Sequence, residues 1–153
     1  MLILVVSGNH SSNWEQLNLK MKCMEYQKDI LLKSNIPYYN LLSLYKGAGV
    51  LLIPLRNTVQ DKARFPHKIG EYTASKRPIL STNTGEMKYY FEDGISALLA
   101  NEYSEKEYVE KLAAALESKE LLDSIGKEGN RIGIANFNYP EQGLELKKFI
   151  LKL

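Results

Sequence analysis

The chain has 153 residues, a size that suits one ordinary domain able to bury a core of its own. Hydrophobic residues make up 44% and charged residues 25%, as in soluble globular proteins, and the net charge of +2 comes without the dense Lys/Arg block that a nucleic-acid partner would call for. No apolar run approaches the roughly 20 residues that span a bilayer, and the single cysteine, Cys23, with two histidines excludes an internal disulfide and a convincing all-protein zinc site, and fits a reducing, cytoplasmic compartment.

In chain order, short apolar runs alternate with longer segments of helical periodicity, the pattern of parallel βα units and an α/β fold. Leu2 to Val6 reads as a strand, because it is short, lacks a basic leader and ends in Ser-Gly, unlike a signal peptide. A helix is predicted from about Asn13 to Gln27, with Leu17, Met21 and Met24 on one face, and Ile30 to Leu32 is a second strand. Asn40 stands where it can cap a helix carrying Leu41, Leu42, Leu44 and Tyr45. Val50 to Ile53, closed by Pro54, is a third strand, Pro78 to Ser81 a fourth, and Ala97 to Leu99 a weaker fifth. From Tyr103 onward the chain is nearly all helix: Ser104 and Glu107 form a capping box before Val109, Leu112, Ala113 and Leu116, and Pro140 marks the first turn of a final helix.

Continuous apolar strands imply a sheet covered on both faces, and such sheets bind ligands beyond the carboxyl ends of their strands. The loops that matter are therefore Ser7 to Asn13, Leu55 to His67 and Thr82 to Glu86. The most informative stretch runs from Arg64 to Ser75. Pro66 and His67 suit the start of a helix whose free N–H groups attract phosphate. Lys68 and Glu71, three apart, share a face with Ser75 one turn on. A cation beside a diphosphate and a carboxylate that accepts ribose hydroxyls would hold a nucleotide. The same spacing also fits a solvated Lys–Glu pair worth a few tenths of a kcal/mol, and on spacing alone that pair is the preferred reading.

The segment Phe65 to Leu99, FPHKIGEYTASKRPILSTNTGEMKYYFEDGISALL, resembles the signature of glycosyltransferase family 4 and its relatives. That signature is a Pro-x-Lys-x-x-Glu-Tyr-x-Ala helix, a Pro-led strand, a Gly-containing turn, and an Asp-Gly before a short Leu-rich strand. Here these are Pro66, Lys68, Glu71, Tyr72, Ala74, Pro78, Gly85, Asp93, Gly94, Leu98 and Leu99. The flanks agree: Val50 to Pro54 is similar to the family's strand ending in proline, and Phe137-Asn138-Tyr139 to the aromatic turn before its last helix.

The resemblance implies a Rossmann-like parallel sheet flanked by helices, one incomplete half of the two-domain GT-B fold. It implies a single nucleotide-sugar-binding domain over residues 1–153, with the acceptor-binding domain and a first strand–helix unit, carrying an Arg and a Gly-Lys-Gly turn, outside the chain. By position, Glu71 would bind the donor's ribose, and Lys68 and the helix start with Pro66 and His67 would lie near the diphosphate. The backbone at Ile36 would read the base, Gly8 would follow the first strand closely, and Thr84, Gly85 and Glu86 would turn beside the donor. The implied reaction is retaining transfer of a hexose-type sugar from a nucleoside-diphosphate sugar, a UDP-sugar foremost. No metal or other cofactor is required, and the acceptor is a surface glycan or lipid-linked sugar at the inner membrane face.

The chain also departs from the pattern. Eight positions before Glu71, where many members carry a donor-contacting glutamate, stands Ala63, followed by Arg64, a candidate donor of charged hydrogen bonds. His10 replaces a second glycine after the first strand and Ser34 another before the base-reading segment. These departures leave open a second reading, a non-catalytic interaction or regulatory domain that keeps the fold. Other classes lack their motifs: no acidic cluster follows the first strand as in a receiver domain, and no Gly-x-Gly-x-x-Gly, Gly-Lys-Ser/Thr loop or Gly-x-Ser-x-Gly elbow is present.

Overall fold

A computed structural model describes residues 1–6, 12–63, 65–101 and 104–152. The strands are β1 (Leu2–Val6), β2 (Ile30–Ser34), β3 (Leu51–Ile53), β4 (Ile79–Thr82) and β5 (Leu98–Ala100). The helices are α1 (Ser12–Lys22), α2 (Tyr38–Gly47), α3 (Val59–Ala63), α4 (Lys68–Ala74), α5 (Met87–Tyr90), α6 (Glu105–Leu116), α7 (Lys119–Phe137) and α8 (Tyr139–Ile150), with one 3₁₀ turn at Gln27–Asp29. All strand pairing is parallel. The protein is thus α/β, with parallel sheets flanked by helices. The chain resolves into two compact units, Met1–Leu41 and Leu42–Leu153, the boundary falling inside α2.

In the first unit β1 and β2 pair from Leu2–Ile30 to Val6–Ser34. Burial along β2 alternates, with Leu31 and Lys33 exposed and the residues between them half-buried. The expectation of strands covered on both faces therefore fails here: alternation is the mark of a strand with one solvated face. Helix α1 ends at Lys22, short of the predicted Gln27, and the chain passes through a turn and the 3₁₀ segment before β2.

The second unit has the order β3-β4-β5, with Leu51 opposite Ile79 and Leu80 opposite Leu98. The five strands lie in two sheets, not one. Central strand β4 is buried at all four positions, as a parallel strand packed on both faces should be. On one face Leu80 and Leu98 meet Ala115, Leu122 and Ile125 from α6 and α7, with Leu52, Tyr108 and Leu112 against them. The Tyr108 hydroxyl donates to the Leu80 carbonyl at 2.8 Å, so the ring's polar end is satisfied inside the core. Strand β5, the weakest of the predicted strands, is fully buried and begins one residue later than expected.

Local chemistry accounts for several helix ends. The Ser104 hydroxyl accepts from the Glu107 N–H at 3.3 Å, capping α6 as predicted, but the Glu107 carboxylate accepts from Asn101 N–H at 2.8 Å. The capping box is therefore half formed, its carboxylate binding the end of β5. Ser118 caps α7 through the Leu121 N–H at 3.2 Å, dividing the helical half of the chain at a residue the periodicity does not mark. Asn40 does not cap α2. It lies inside the helix, which starts two residues earlier behind Pro37, because proline's fixed φ favours a helix start. At the other end of α2, Arg77 Nε donates to the Lys46 carbonyl at 2.7 Å. Pro140 occupies the first turn of α8 as expected. That helix buries no residue, and Leu144, Leu146, Phe149 and Ile150 are all exposed.

Helix α7 carries three buried glycines, Gly126, Gly129 and Gly133, on one face. A Cβ at Gly126 would collide with the Lys76 carbonyl, one at Gly129 would stand 2.7 Å from the Ser96 carbonyl, and one at Gly133 would strike the Thr73 side chain. Their absence lets α7 lie directly on the end of α4 and the turn into β4. Asn130 Nδ2 adds a bond to the Thr73 carbonyl at 2.9 Å.

Candidate functional site

Parallel strands β3 and β4 need a crossover, and the chain makes it through α3 and α4. Helix α4 leads through Ser75 to Pro78 into the start of β4, so its first residues belong to the carboxyl-end side of the sheet. Residues following all three strands come together on that side. Asn57 after β3, Asn83, Thr84, Gly85 and Glu86 after β4, and Asn101 after β5 line one open cleft of about 440 Å³, with Lys62 of α3 and Lys88 and Tyr89 of α5.

The cleft's frame is tightly specified. The Thr82 hydroxyl donates to the Leu55 carbonyl at 2.6 Å and accepts from the Leu55 N–H at 3.0 Å, tying the segment after β3 to the end of β4. Ser81 Oγ donates to the Ile53 carbonyl at 2.8 Å, and Asn83 N–H to Ala100 at 2.7 Å. Thr58 Oγ1 accepts from Asp61 N–H at 3.2 Å, starting α3, and an Asp61 oxygen accepts from Arg56 N–H at 3.0 Å. Gly85 has φ +59, and a Cβ there would stand 2.9 Å from the Lys62 carbonyl. Only glycine gives both that backbone and that approach.

The expected site residues divide between places. Thr84, Gly85 and Glu86 line the cleft. Lys68 opens α4 exposed, and Glu71, half-buried, follows it on the same helix, but neither is among the described residues that line the cleft. Pro66 precedes the helix, and its carbonyl accepts the Ile69 N–H at 3.0 Å, so one amide of the expected phosphate-binding mouth is already occupied. Exposed His67 stands at the cap position without a side-chain cap bond. Ser75 Oγ donates to the Tyr72 carbonyl at 2.6 Å at the end of α4. Ile36, half-buried, lies after β2 in the other unit. Gly8, His10 and Arg64 lie outside the described residues.

Tyr72 is buried edge-on against Tyr45, with ring centroids 4.8 Å apart. Burial, and secondarily the charge of Glu71, push its hydroxyl above the usual tyrosine range. The Glu71 carboxylate is thus close enough to Tyr72 to act on it. Phe65 and Tyr90 meet Phe137 at 5.1 Å each, so the aromatic turn before α8 packs against the entry to α4. Asp93 of the Asp-Gly pair has a structural role: one oxygen accepts from Leu99 N–H at 2.7 Å and the other pairs with Lys111. Asn57, Lys62 and Asn83 fall in the loops that the sequence singles out, though not as named site residues, and Lys88, Tyr89 and Asn101 were missed. The available signal was polar residues soon after each apolar strand, in the loops where such sheets bind ligands.

Comparison with known proteins follows from this geometry. A family model described as "Glycosyl transferases group 1" matches residues 1–132. No curated protein matches the chain. Among solved structures, sucrose-phosphate synthase from Thermosynechococcus elongatus is similar over 99% of this chain and 38% of its own, with TM-score 0.86 and 15% identity. HepE from Anabaena, in complex with UDP-glucose, is similar over 99% of this chain and 40% of its own, with TM-score 0.80 and 14% identity. The C-terminal domain of LpcC, a glycosyl transferase group 1 family protein from Francisella tularensis, matches over 80% of this chain and 61% of its own, with TM-score 0.67 and 19% identity. At these identities the likeness concerns the fold, and this chain spans less than two thirds of each of the three.

Proposed function

Because this chain belongs to the group 1 glycosyl transferases, we propose that it forms the nucleotide-sugar-binding part of a glycosyltransferase of the family-4-like, retaining kind. The reading rests above all on the gathering of residues from after three parallel strands into one polar cleft, where α/β proteins hold their ligands. The similarity in fold to HepE, whose structure contains UDP-glucose, supports a UDP-sugar as donor.

In this reading the Glu71 carboxylate accepts hydrogen bonds from the two ribose hydroxyls, and Lys68 faces the diphosphate. Transfer breaks the bond between the sugar's C1 and the diphosphate oxygen and forms one to the acceptor hydroxyl oxygen, whose proton passes to the departing diphosphate. The leaving diphosphate gains negative charge in the transition state, and a fixed ammonium lowers the energy of that charge without moving. A hexose as the transferred unit, a surface glycan or lipid-linked sugar as the acceptor, an acceptor-binding domain beyond this chain and work at the inner membrane face are parts of the same proposal. Among the described residues no helix is long and apolar enough to cross a membrane.

Isothermal calorimetry with UDP and UDP-glucose tests this. The chain should bind both, and Glu71→Ala should weaken binding about tenfold or more, the loss of charge-assisted hydrogen bonds. Exposed Ala63 stands where the family resemblance implies a donor-contacting glutamate, and it favours the second reading, a non-catalytic domain that keeps the fold. A sample that is folded by circular dichroism yet binds neither nucleotide would count against the first reading and favour the second.

A further inference from the structure

The cleft's lining says more about its ligand than that it is a donor. Asn57, Asn83 and Asn101 line it, residues whose carboxamides both donate and accept hydrogen bonds, the complement of a sugar hydroxyl, with the hydroxyl-bearing Thr84 and Tyr89 beside them. A neutral hexose needs nothing further. The same lining carries Lys62 and Lys88 against one carboxylate, Glu86. Among the described residues neither lysine is in an ion pair. Lys88 is oriented by the Tyr89 ring, its ammonium 4.9 Å from the centroid. The Lys62 backbone is held close to the Gly85 turn, its carbonyl lying where a Cβ on Gly85 would collide, and its side chain is exposed.

Amides for hydroxyls together with two ammonium groups lacking a carboxylate partner among the described residues describe a ligand that is both polyhydroxylated and anionic. We propose that the cleft selects a sugar unit bearing a carboxylate, a uronosyl group, as the part of the donor that is transferred. This rests on the donor-binding reading, in which Lys68 faces the diphosphate and the cations of the cleft are left for a second anion. Lys62 and Lys88 are then specificity-determining residues, and Glu86, the one acidic group among the described lining residues, accepts from a sugar hydroxyl.

The test uses the whole chain and three probes: UDP, UDP-glucose and UDP-glucuronic acid. Calorimetry at low salt should show UDP-glucuronic acid binding about three- to tenfold tighter than UDP-glucose, as expected for one or two partly exposed ion pairs. In the Lys62→Gln/Lys88→Gln double variant, checked for folding by circular dichroism, the affinities for the two sugar nucleotides should converge. Equal affinities in the unaltered protein would overturn the inference while leaving the donor site standing. A double variant that loses as much affinity for UDP as for UDP-glucuronic acid would also overturn it, because the cations would then hold the diphosphate. Failure of UDP itself to bind would reject the donor site and the inference together.

Discussion

Thr82 shows how much one side chain decides. The sequence places it at the start of a loop, but it is the last residue of β4 and completely buried, and its hydroxyl makes both hydrogen bonds of the Leu55 backbone. Thr82→Val keeps the shape and leaves the buried Leu55 N–H and carbonyl without these partners, which costs about 1–3 kcal/mol. Urea denaturation should show that loss, and Thr82→Ser should recover most of it. A valine variant as stable as the parent would mean that the segment after β3 is held some other way. Lys68 and Glu71 illustrate the opposite case: their types and spacing were legible, yet their placement outside the cleft lining was not, because helical periodicity relates residues within one helix and says nothing of what faces them.

Among elements, α7 depends most on what it lacks. Its glycines are poor helix formers, so a reading by propensity counts them as defects, whereas packing makes them necessary. Gly126→Ala should destabilise the protein by about 1–3 kcal/mol despite better helix propensity, since the new methyl meets Lys76 and Pro78 backbone that cannot turn aside. Gly143→Ala in exposed α8 is the matched control: nothing lies within 4 Å, so it should stabilise by up to about 1 kcal/mol. Thermal melts of the two variants should move in opposite directions, and a shared direction would contradict the close approach of α7. Caps divide the same way. Ser104 was legible because its partner is three residues on, while the Glu107 carboxylate found Asn101, a partner that only the position of β5 supplies.

At the scale of the molecule, the two units differ in how deeply their strands are buried. Amide hydrogen exchange should follow that difference: β4, buried throughout, should exchange slowest, and β1 and β2, whose described residues are half-buried or exposed, markedly faster. Equal protection in both sheets would show that the chain opens only as a whole. The sequence by itself determined the α/β class and the order and nearly the limits of its strands, because hydrophobic period, proline and capping signals act over a few residues and leave a local record, and the ordered motifs from Phe65 to Leu99 carried the resemblance to a glycosyltransferase family. The division of five strands between two sheets, the glycine face of α7 and the meeting of Asn57, Lys62, Thr84, Lys88 and Asn101 around one cleft were decided only by the tertiary structure. These depend on contacts between residues tens of positions apart, whose identity is set by how chain segments pack and not by any pattern along the chain.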